Sequence, residues 1–188
     1  MQKVFLILGE LSDDDVDWII QTSKWQEITA NTTLIEEGKP VDAIYILLEG
    51  TLTVSISALG GKEIATLTSG EVVGEMSFID YRPPSATVTS SEKSLVLSIP
   101  RRELAAKLQF DISFASRFYR ALAILLSLRM RGLVSQLGYG KAQAEEVELE
   151  QLHPHLLENI TLARARFDWI IRRLRTNQFK PIIPQNND

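Results

Sequence analysis

The central part of the chain alternates between apolar and polar positions in short segments that are separated by glycines. In residues 51–57, TLTVSIS, leucine, valine and isoleucine occupy one face, while threonine and serine occupy the other. A repeat of two is the period of a β-strand with one face against a core. Residues 43–50 and 63–70 predict two more strands, and the glycine pair at 60–61 predicts a turn. Short strands with glycine turns indicate a β-barrel or roll over about residues 25–99.

The segments on both sides of the roll have helical signals. Ser12 is followed by three aspartates, which predicts a helix over about residues 12–22, because a hydroxyl and early carboxylates suit a helix N-terminus. Residues 101–131 contain neither glycine nor proline. We therefore expect a short helix over 101–107, a bend, and a long helix over about 112–137.

The long helix has two apolar faces. One face recurs at alternating four- and three-residue steps: Tyr119, Ala123, Leu126, Met130, Leu133 and Leu137. This spacing is that of a coiled-coil seam. We expect a second face, with Phe118, Leu122 and Leu125, to pack on the roll, so the seam needs a partner of its own. Polar side chains on this helix, among them Arg129, either cover a ligand or face solvent.

Composition narrows the classes of protein. The chain has 188 residues, 45% of them hydrophobic, which is enough for one well-buried core. There is no cysteine, which excludes disulfides and thiolate metal sites. The longest apolar run, ALAILL at 121–126, is far below the roughly 18 residues of a membrane span, and the first residues are too short for a secretory signal. We expect a cytoplasmic protein, and the net charge of −4 argues against a surface directed wholly to nucleic acid.

Catalysis is not expected. Metal-dependent enzymes built on β-rolls need several histidines inside the barrel, whereas His153 and His155 both lie outside it. These two histidines flank a proline, and we expect them in a surface loop and not at a metal. Glu75 and Asp80 do not form a convincing acid/base pair, and no hydroxyl lies in a recognisable nucleophile setting. The sequence therefore predicts a non-enzymatic protein without a metal or cofactor.

Residues 74–88, GEMSFIDYRPPSATV, combine a glycine, a carboxylate and a tail of small residues. A glycine lets the backbone come close to a ligand, and the adjacent Glu75 can accept hydrogen bonds from ribose hydroxyls. N–H groups at a helix start are donors for phosphate oxygens. The segment can therefore hold a sugar and a phosphate.

With this segment, about residues 11–137 resemble the cyclic nucleotide-binding domain family. The resemblance rests on IEEGKPVDAIYILLEGTLTV at 35–54 and on LTSGEVVGEMSFIDYRPPSATV at 67–88. It implies a mainly β fold with added helices: a double-stranded β-roll, or jelly roll, flanked by an N-terminal helix and long C-terminal helices. The chain is similar to a stand-alone bacterial member with the sensor domain of a catabolite activator.

The resemblance also implies a ligand and a binding site. The ligand would be cAMP, cGMP or another cyclic nucleotide. Glu75 would hold the ribose 2′-hydroxyl, the backbone at Ser85 and Ala86 the cyclic phosphate, and Val54 and Ala65 the base. The full set of implied site residues is Val54, Ala65, Gly74, Glu75, Met76, Arg82, Ser85 and Ala86. The family commonly pairs through the long helix, which implies a parallel homodimer through residues 112–137.

One position departs from the family pattern. The arginine that usually pairs with the phosphate falls nine residues after the glutamate, and Pro84 occupies that position. Proline has neither a charge nor an N–H donor. Arg82 either reaches inward in its place, since a guanidinium on a long stem can fork onto a phosphate, or is a solvated charge at a loop tip. Two functions follow: a sensor of a cyclic nucleotide or related ligand, or a degenerate domain that serves as a protein interaction scaffold.

The chain after residue 137 forms a second part, 138–188, in this interpretation. We expect a linker, an acidic segment over 145–152 and one helix with a basic end. Family members that bind DNA carry a helix-turn-helix after the long helix, and its pattern is missing here, so direct DNA binding is not expected. The basic helix either docks on a protein partner, a membrane surface or an anion, or folds back onto the domain or the dimer mate.

Overall fold

Eight short strands form two antiparallel sheets in the described part of the chain. The computed structural model describes residues 3–139 and 154–175. The strands are β1 (Lys24–Ile28), β2 (Thr33–Ile35), β3 (Ala43–Glu49), β4 (Thr51–Ile56), β5 (Lys62–Thr68), β6 (Val72–Val73), β7 (Thr87–Ser90) and β8 (Ser94–Pro100). One sheet has the order β1-β8-β3-β6 and the other the order β2-β7-β4-β5. The β-roll predicted from the alternation is confirmed.

Helices precede, interrupt and follow the roll. They are α1 (Val4–Glu10), α2 (Asp13–Thr22), α3 (Glu75–Asp80), α4 (Arg101–Phe110), α5 (Ile112–Tyr139) and α6 (Pro154–Arg175). The acidic segment, His153 and the last residues lie outside the described part of the chain. His155 lies in the first turn of α6 and not in the expected loop, because Pro154 suits the first position of a helix. No described helix has an apolar stretch long enough to cross a membrane.

The apolar residues form two clusters, one between the sheets and one beneath the helices. The cluster between the sheets contains Ile28, Ile35, Leu47, Leu52, Val73, Val88 and Val96. Leu52 belongs to the predicted inward face of β4 and is buried. The larger cluster joins the opposite face of the β3 sheet to α1, α2, α5 and α6. The helices therefore cover one sheet, and the space between the two sheets is a separate apolar layer.

Helix α1 was not predicted from the sequence. Val4 to Leu8 are five consecutive apolar residues, and all of them are buried. A helix that is apolar on every side has no period of 3.6 to reveal it, so the pattern does not distinguish it from a buried strand. The helix is apolar on every side because it lies at the centre of the larger cluster, where each side packs against another element.

Helix α2 is capped as predicted and is held to α5 by an ion pair. Ser12 and Asp15 form a reciprocal capping box. The Asp15 carboxylate also accepts two hydrogen bonds from Arg117, at 2.6 and 2.9 Å. Burial alone would raise the pKa of Asp15, but the hydrogen bonds from Arg117 and Ser12 outweigh it and lower that pKa. The N-terminal helices are thereby fixed to the long helix.

The long helix presents the two apolar faces that the spacing predicts. Phe118, Leu122 and Leu125 are almost completely buried. On the seam, Met130 is 67% exposed and Leu133 63% exposed. The helix continues to Tyr139, two residues past its predicted end, and α4 is three residues longer than predicted. One face of α5 is thus part of the core, and Met130 and Leu133 on the other face are exposed among the residues that the structure describes.

Helix α6 packs on α1. Ala163, Phe167 and Ile170 are buried. The rings of Phe5 and Phe167 meet edge to face, with their centroids 5.8 Å apart. Of the alternatives for the basic helix, the structure therefore shows contact with its own domain.

Arg166 fastens α6 to the end of α1. Its guanidinium donates to the carbonyl of Leu8 and, at 2.8 Å, to that of Leu11, and it pairs with Asp13 at 2.6 Å. A cation suits the carbonyl end of a helix, because that end carries partial negative charge. The first and the last helix of the described chain are therefore joined by both apolar and polar contacts.

Candidate functional site

The segment 74–88 forms one continuous structure, which we call the cassette. It consists of the turn at Gly74, the six-residue helix α3 and a loop that leads into β7. Gly74 has φ of +87°, and a Cβ there would lie 2.8 Å from the carbonyl oxygen of Ala43. Glycine is therefore required at this position for both its conformation and its size. The sequence predicts that this glycine lets the backbone come close to a ligand. In the structure, the backbone at Gly74 comes close to β3.

Two hydrogen bonds hold the cassette loop against the preceding loop of the roll. The N–H of Gly38 donates to the carbonyl of Pro84 at 2.9 Å, and the N–H of Glu37 donates to the hydroxyl of Thr87 at 3.1 Å. Pro84 is half-buried and Ser85 is exposed. The loop is thus positioned through its carbonyl and its tail, while Pro84 contributes no donor of its own.

The residues predicted to meet the base and the phosphate lie on neighbouring strands of one sheet. Val54 in β4 is opposite Ala65 in β5 and, on its other side, opposite Val88 in β7. Val54 and Ala65 are half-buried, as is Ala86, which leads directly into β7. The fold therefore brings the tail of the cassette to the wall of the roll that carries the two predicted base contacts.

The carboxylate of Glu75 is buried and already paired. Its side chain is 2% exposed, and it accepts a hydrogen bond from Nη1 of Arg129, 54 positions later in α5. Nη2 of Arg129 donates to the carbonyl of Val72 at 2.5 Å and lies 3.4 Å from the carboxylate of Glu71. The sequence predicts that Arg129 either covers a ligand or faces solvent. In the structure, Arg129 contacts the cassette through Glu75.

Glu71 extends this cluster of charges to the start of the chain. Its carboxylate lies 3.2 Å from Nζ of Lys3, and the N–H of Val4 donates to the carbonyl of Gly70 at 2.7 Å. A buried carboxylate is retained only with a charge partner, and here two carboxylates share two cations. The cassette is therefore connected by charge to α5 and to α1 at the same place.

The structure places the remaining two predicted site residues at the surface. Met76 is 57% exposed. The side chain of Arg82 is 84% exposed, and its charge partner is Asp80 at 4.0 Å. Of the two alternatives for Arg82, the structure shows the charge at a loop tip. Gly74, Glu75, Ala86, Val54 and Ala65 are the predicted residues that lie at the junction of cassette and roll.

Comparison with known proteins identifies the same segment. Residues 25–111 match the family model of the cyclic nucleotide-binding domain. Over 71 residues the chain is 39% identical to a cGMP-dependent protein kinase of Toxoplasma gondii, an alignment that covers 38% of this chain and 7% of the kinase. The chain spans less than a third of the length of the first curated relatives that it matches, at most 28%.

Solved structures have the same fold. A crystal structure of a cyclic nucleotide-binding domain from Methylobacillus flagellatus has a TM-score of 0.62 and 24% identity, and covers 69% of this chain and 77% of that one. The catabolite activator protein of Thermus thermophilus has a TM-score of 0.60 and 19% identity, with 94% and 91% covered. At such identities the structures show the fold alone. The fold predicted from the sequence is confirmed, and the family model matches the segment on which the predicted resemblance rests.

Proposed function

We propose that this chain, in which residues 25–111 belong to the cyclic nucleotide-binding domain family, is a non-enzymatic regulatory protein that senses a cyclic nucleotide and signals to a protein partner through its C-terminal helices. The observation that carries the proposal is the ion pair between Glu75 in the cassette and Arg129 in the long helix. Because this pair joins the predicted sugar contact to α5, a ligand at the cassette acts on the helix directly.

The proposed ligand is cAMP, cGMP or a related cyclic nucleotide. Its ribose 2′-hydroxyl donates to Glu75, and the backbone N–H groups at Ser85 and Ala86 donate to its cyclic phosphate. Val54 and Ala65 contact the base. Backbone donors alone bind the phosphate more weakly than donors assisted by a guanidinium, because Pro84 supplies no positive charge.

The signal begins at Arg129 in this proposal. A ribose hydroxyl that donates to Glu75 competes with the guanidinium of Arg129 for the same buried carboxylate. This competition weakens the ion pair that joins the cassette to α5. A ligand shifts an equilibrium only as far as its contacts differ between the two states. The contacts that differ are those of Arg129 with Glu75, Glu71 and the carbonyl of Val72.

A thermal unfolding series tests nucleotide binding. We expect one member of a panel of cyclic mono- and dinucleotides to stabilise the full chain by about 2.7 kcal/mol at 100 times its dissociation constant. Glu75→Gln keeps the shape of the side chain but removes its charge, and should abolish the ligand-induced shift. Glu63→Gln is the matched control, because Glu63 is an exposed glutamate of β5 that accepts from Thr66.

The outcomes of this series separate the two functions. A shift that persists in Glu75→Gln contradicts the ribose contact, although it leaves ligand binding by the roll intact. The absence of any shift across the panel favours the second candidate, a degenerate domain that acts as an interaction scaffold. Two observations favour this candidate: the proline at position 84, and the existing partner of the Glu75 carboxylate.

The exposed seam of α5 supports a parallel homodimer as part of the proposal. Tyr119, Met130 and Leu133 of the seam are exposed among the residues that the structure describes, and large exposed apolar stripes usually mark an interface. In sedimentation velocity, we expect the wild-type chain to be a dimer and Met130→Asp combined with Leu133→Asp to be a monomer. Arg131→Asp, on an exposed position outside the seam, should remain dimeric. A monomeric wild-type chain would refute the dimer.

A further inference from the structure

A groove of about 770 Å³ lies between the cassette helix and the first turn of α4. We call it the α3–α4 groove. Its charged lining consists of four cations, Lys24, Arg82, Arg101 and Arg102, and two carboxylates, Asp42 and Glu103. It shares only Arg82 with the residues predicted for the nucleotide. On a chain with a net charge of −4, this groove is a local surplus of positive charge.

A serine of the cassette helix also lines the groove. Ser77 in α3 is 6% exposed, and its side chain has no hydrogen bond to any residue that the structure describes. Its carbonyl, in contrast, accepts from Nη1 of Arg101 at 2.9 Å. Because no described residue uses this hydroxyl, it is available to donate to an acceptor on a ligand.

The first turn of α4 adds unpaired donors. The helix follows Pro100, which provides no side-chain cap, and the N–H of Arg101 donates to the carbonyl of Asp42 at 2.7 Å. The next N–H groups, of Arg102 and Glu103, have no acceptor within the described ranges. Arginines at the positive end of a helix repel its dipole, and an anion bound there would offset this repulsion.

An aromatic ring forms one border of the groove. Tyr81 is 80% exposed and adopts a left-handed backbone conformation with φ of +61°. The guanidinium of Arg101 lies 5.0 Å from the centre of its ring. The ring is therefore held beside the cations by a cation–π contact, where it offers a flat apolar surface to the organic part of a ligand.

We propose that the α3–α4 groove is a second ligand site, which binds a dianionic phosphate group, free or carried on a small organic molecule. The Ser77 hydroxyl and the unpaired N–H groups of α4 donate to the phosphate oxygens. Arg102 and Arg82 neutralise its charge, and Tyr81 packs against an organic substituent. The site does not depend on nucleotide binding in the roll, because none of these donors belongs to the roll interior.

Calorimetric titration of the full chain with two probes tests the site. The probes are inorganic phosphate and phenyl phosphate, which lack the ribose and the base that the proposed nucleotide site contacts. We expect Ser77→Ala to weaken binding by about tenfold, because a hydrogen bond to a charged group is lost, and Arg102→Ala to weaken it and reduce its dependence on salt. Arg131→Ala, which removes an exposed arginine outside the groove, should bind like the wild-type chain.

The two probes also distinguish the sources of the phosphate. Tighter binding of phenyl phosphate indicates an organic phosphate ester, and equal or tighter binding of inorganic phosphate indicates the free ion. Each result supports the site if Ser77→Ala weakens it. Alanine is a good helix former, so Ser77→Ala is expected to fold, and far-ultraviolet circular dichroism checks this. No binding of either probe, or equal binding by the wild-type chain and Ser77→Ala, overturns the proposal.

Discussion

Replacing Arg129 by alanine is expected to lower the free energy of unfolding by about 3–5 kcal/mol, because the Glu75 carboxylate would remain buried without its counter-charge. The side chain of Glu75 is 2% exposed and that of Arg129 is 23% exposed, so solvent offers little compensation. Glu71 would lose one of its two cationic neighbours as well. Urea denaturation of the two proteins at neutral pH measures the difference.

Two further variants make this result specific. The double variant Arg129→Met with Glu75→Gln removes both charges and should recover much of the lost stability, because no unpaired ion stays buried. Arg131→Ala removes an exposed arginine from the same helix and should change stability by no more than about 0.5 kcal/mol. If Arg129→Ala costs as little as Arg131→Ala, the ion pair does not hold the cassette to α5 in solution.

Truncating Phe167 to alanine is expected to release α6 from α1. Removing a buried phenylalanine typically costs about 3–5 kcal/mol, and Phe167 is 3% exposed against Phe5. Since about 1.4 kcal/mol is a factor of ten, amide hydrogens of α6 should exchange at least 100-fold faster than in the wild-type chain. Mass spectrometry of peptides from α6, with peptides from β8 as an internal reference, measures this ratio.

Trp169 provides the matched control on the same helix. Its side chain is 40% exposed, and its ring lies 4.8 Å from the guanidinium of Arg173. Trp169→Ala removes a larger aromatic ring but should leave exchange in α6 much less affected, because little of that ring is in the core. Equal effects of the two substitutions would show that α6 is not held by Phe167 against α1.

Local patterns were sufficient to predict most of the roll and its capping signals. The alternation over 51–57 gave β4, and the hydroxyl of Ser12 with the following aspartates gave the start of α2. Both signals depend on residues within one turn or one strand. Helix α1 was not predicted, because its buried positions form an unbroken apolar run. Such a run fits a buried helix and a buried strand equally well, and the choice between them depends on contacts with elements that are distant in the sequence.

The candidate site was predictable where spacing within one segment was enough. Gly74, Glu75 and the tail of the cassette are neighbours in the sequence, and their order indicated the site. The partner of Glu75 was not predictable, because Arg129 lies 54 positions away and meets it only through the path of α5 across the roll. The α3–α4 groove depends in the same way on the position of Arg101 beside Ser77, at a separation of 24 positions.

The contacts of Arg166 and Phe167 in α6 with α1 have a consequence for folding during synthesis. Arg166 and its acceptor Leu8 are 158 positions apart, so α1 is synthesised long before the helix that completes its cover. Contacts this distant in sequence close slowly, because a long loop must first be ordered. Until α6 is synthesised, the five apolar side chains of α1 keep one side open, which makes nascent chains lacking α6 prone to self-association and candidates for chaperone binding.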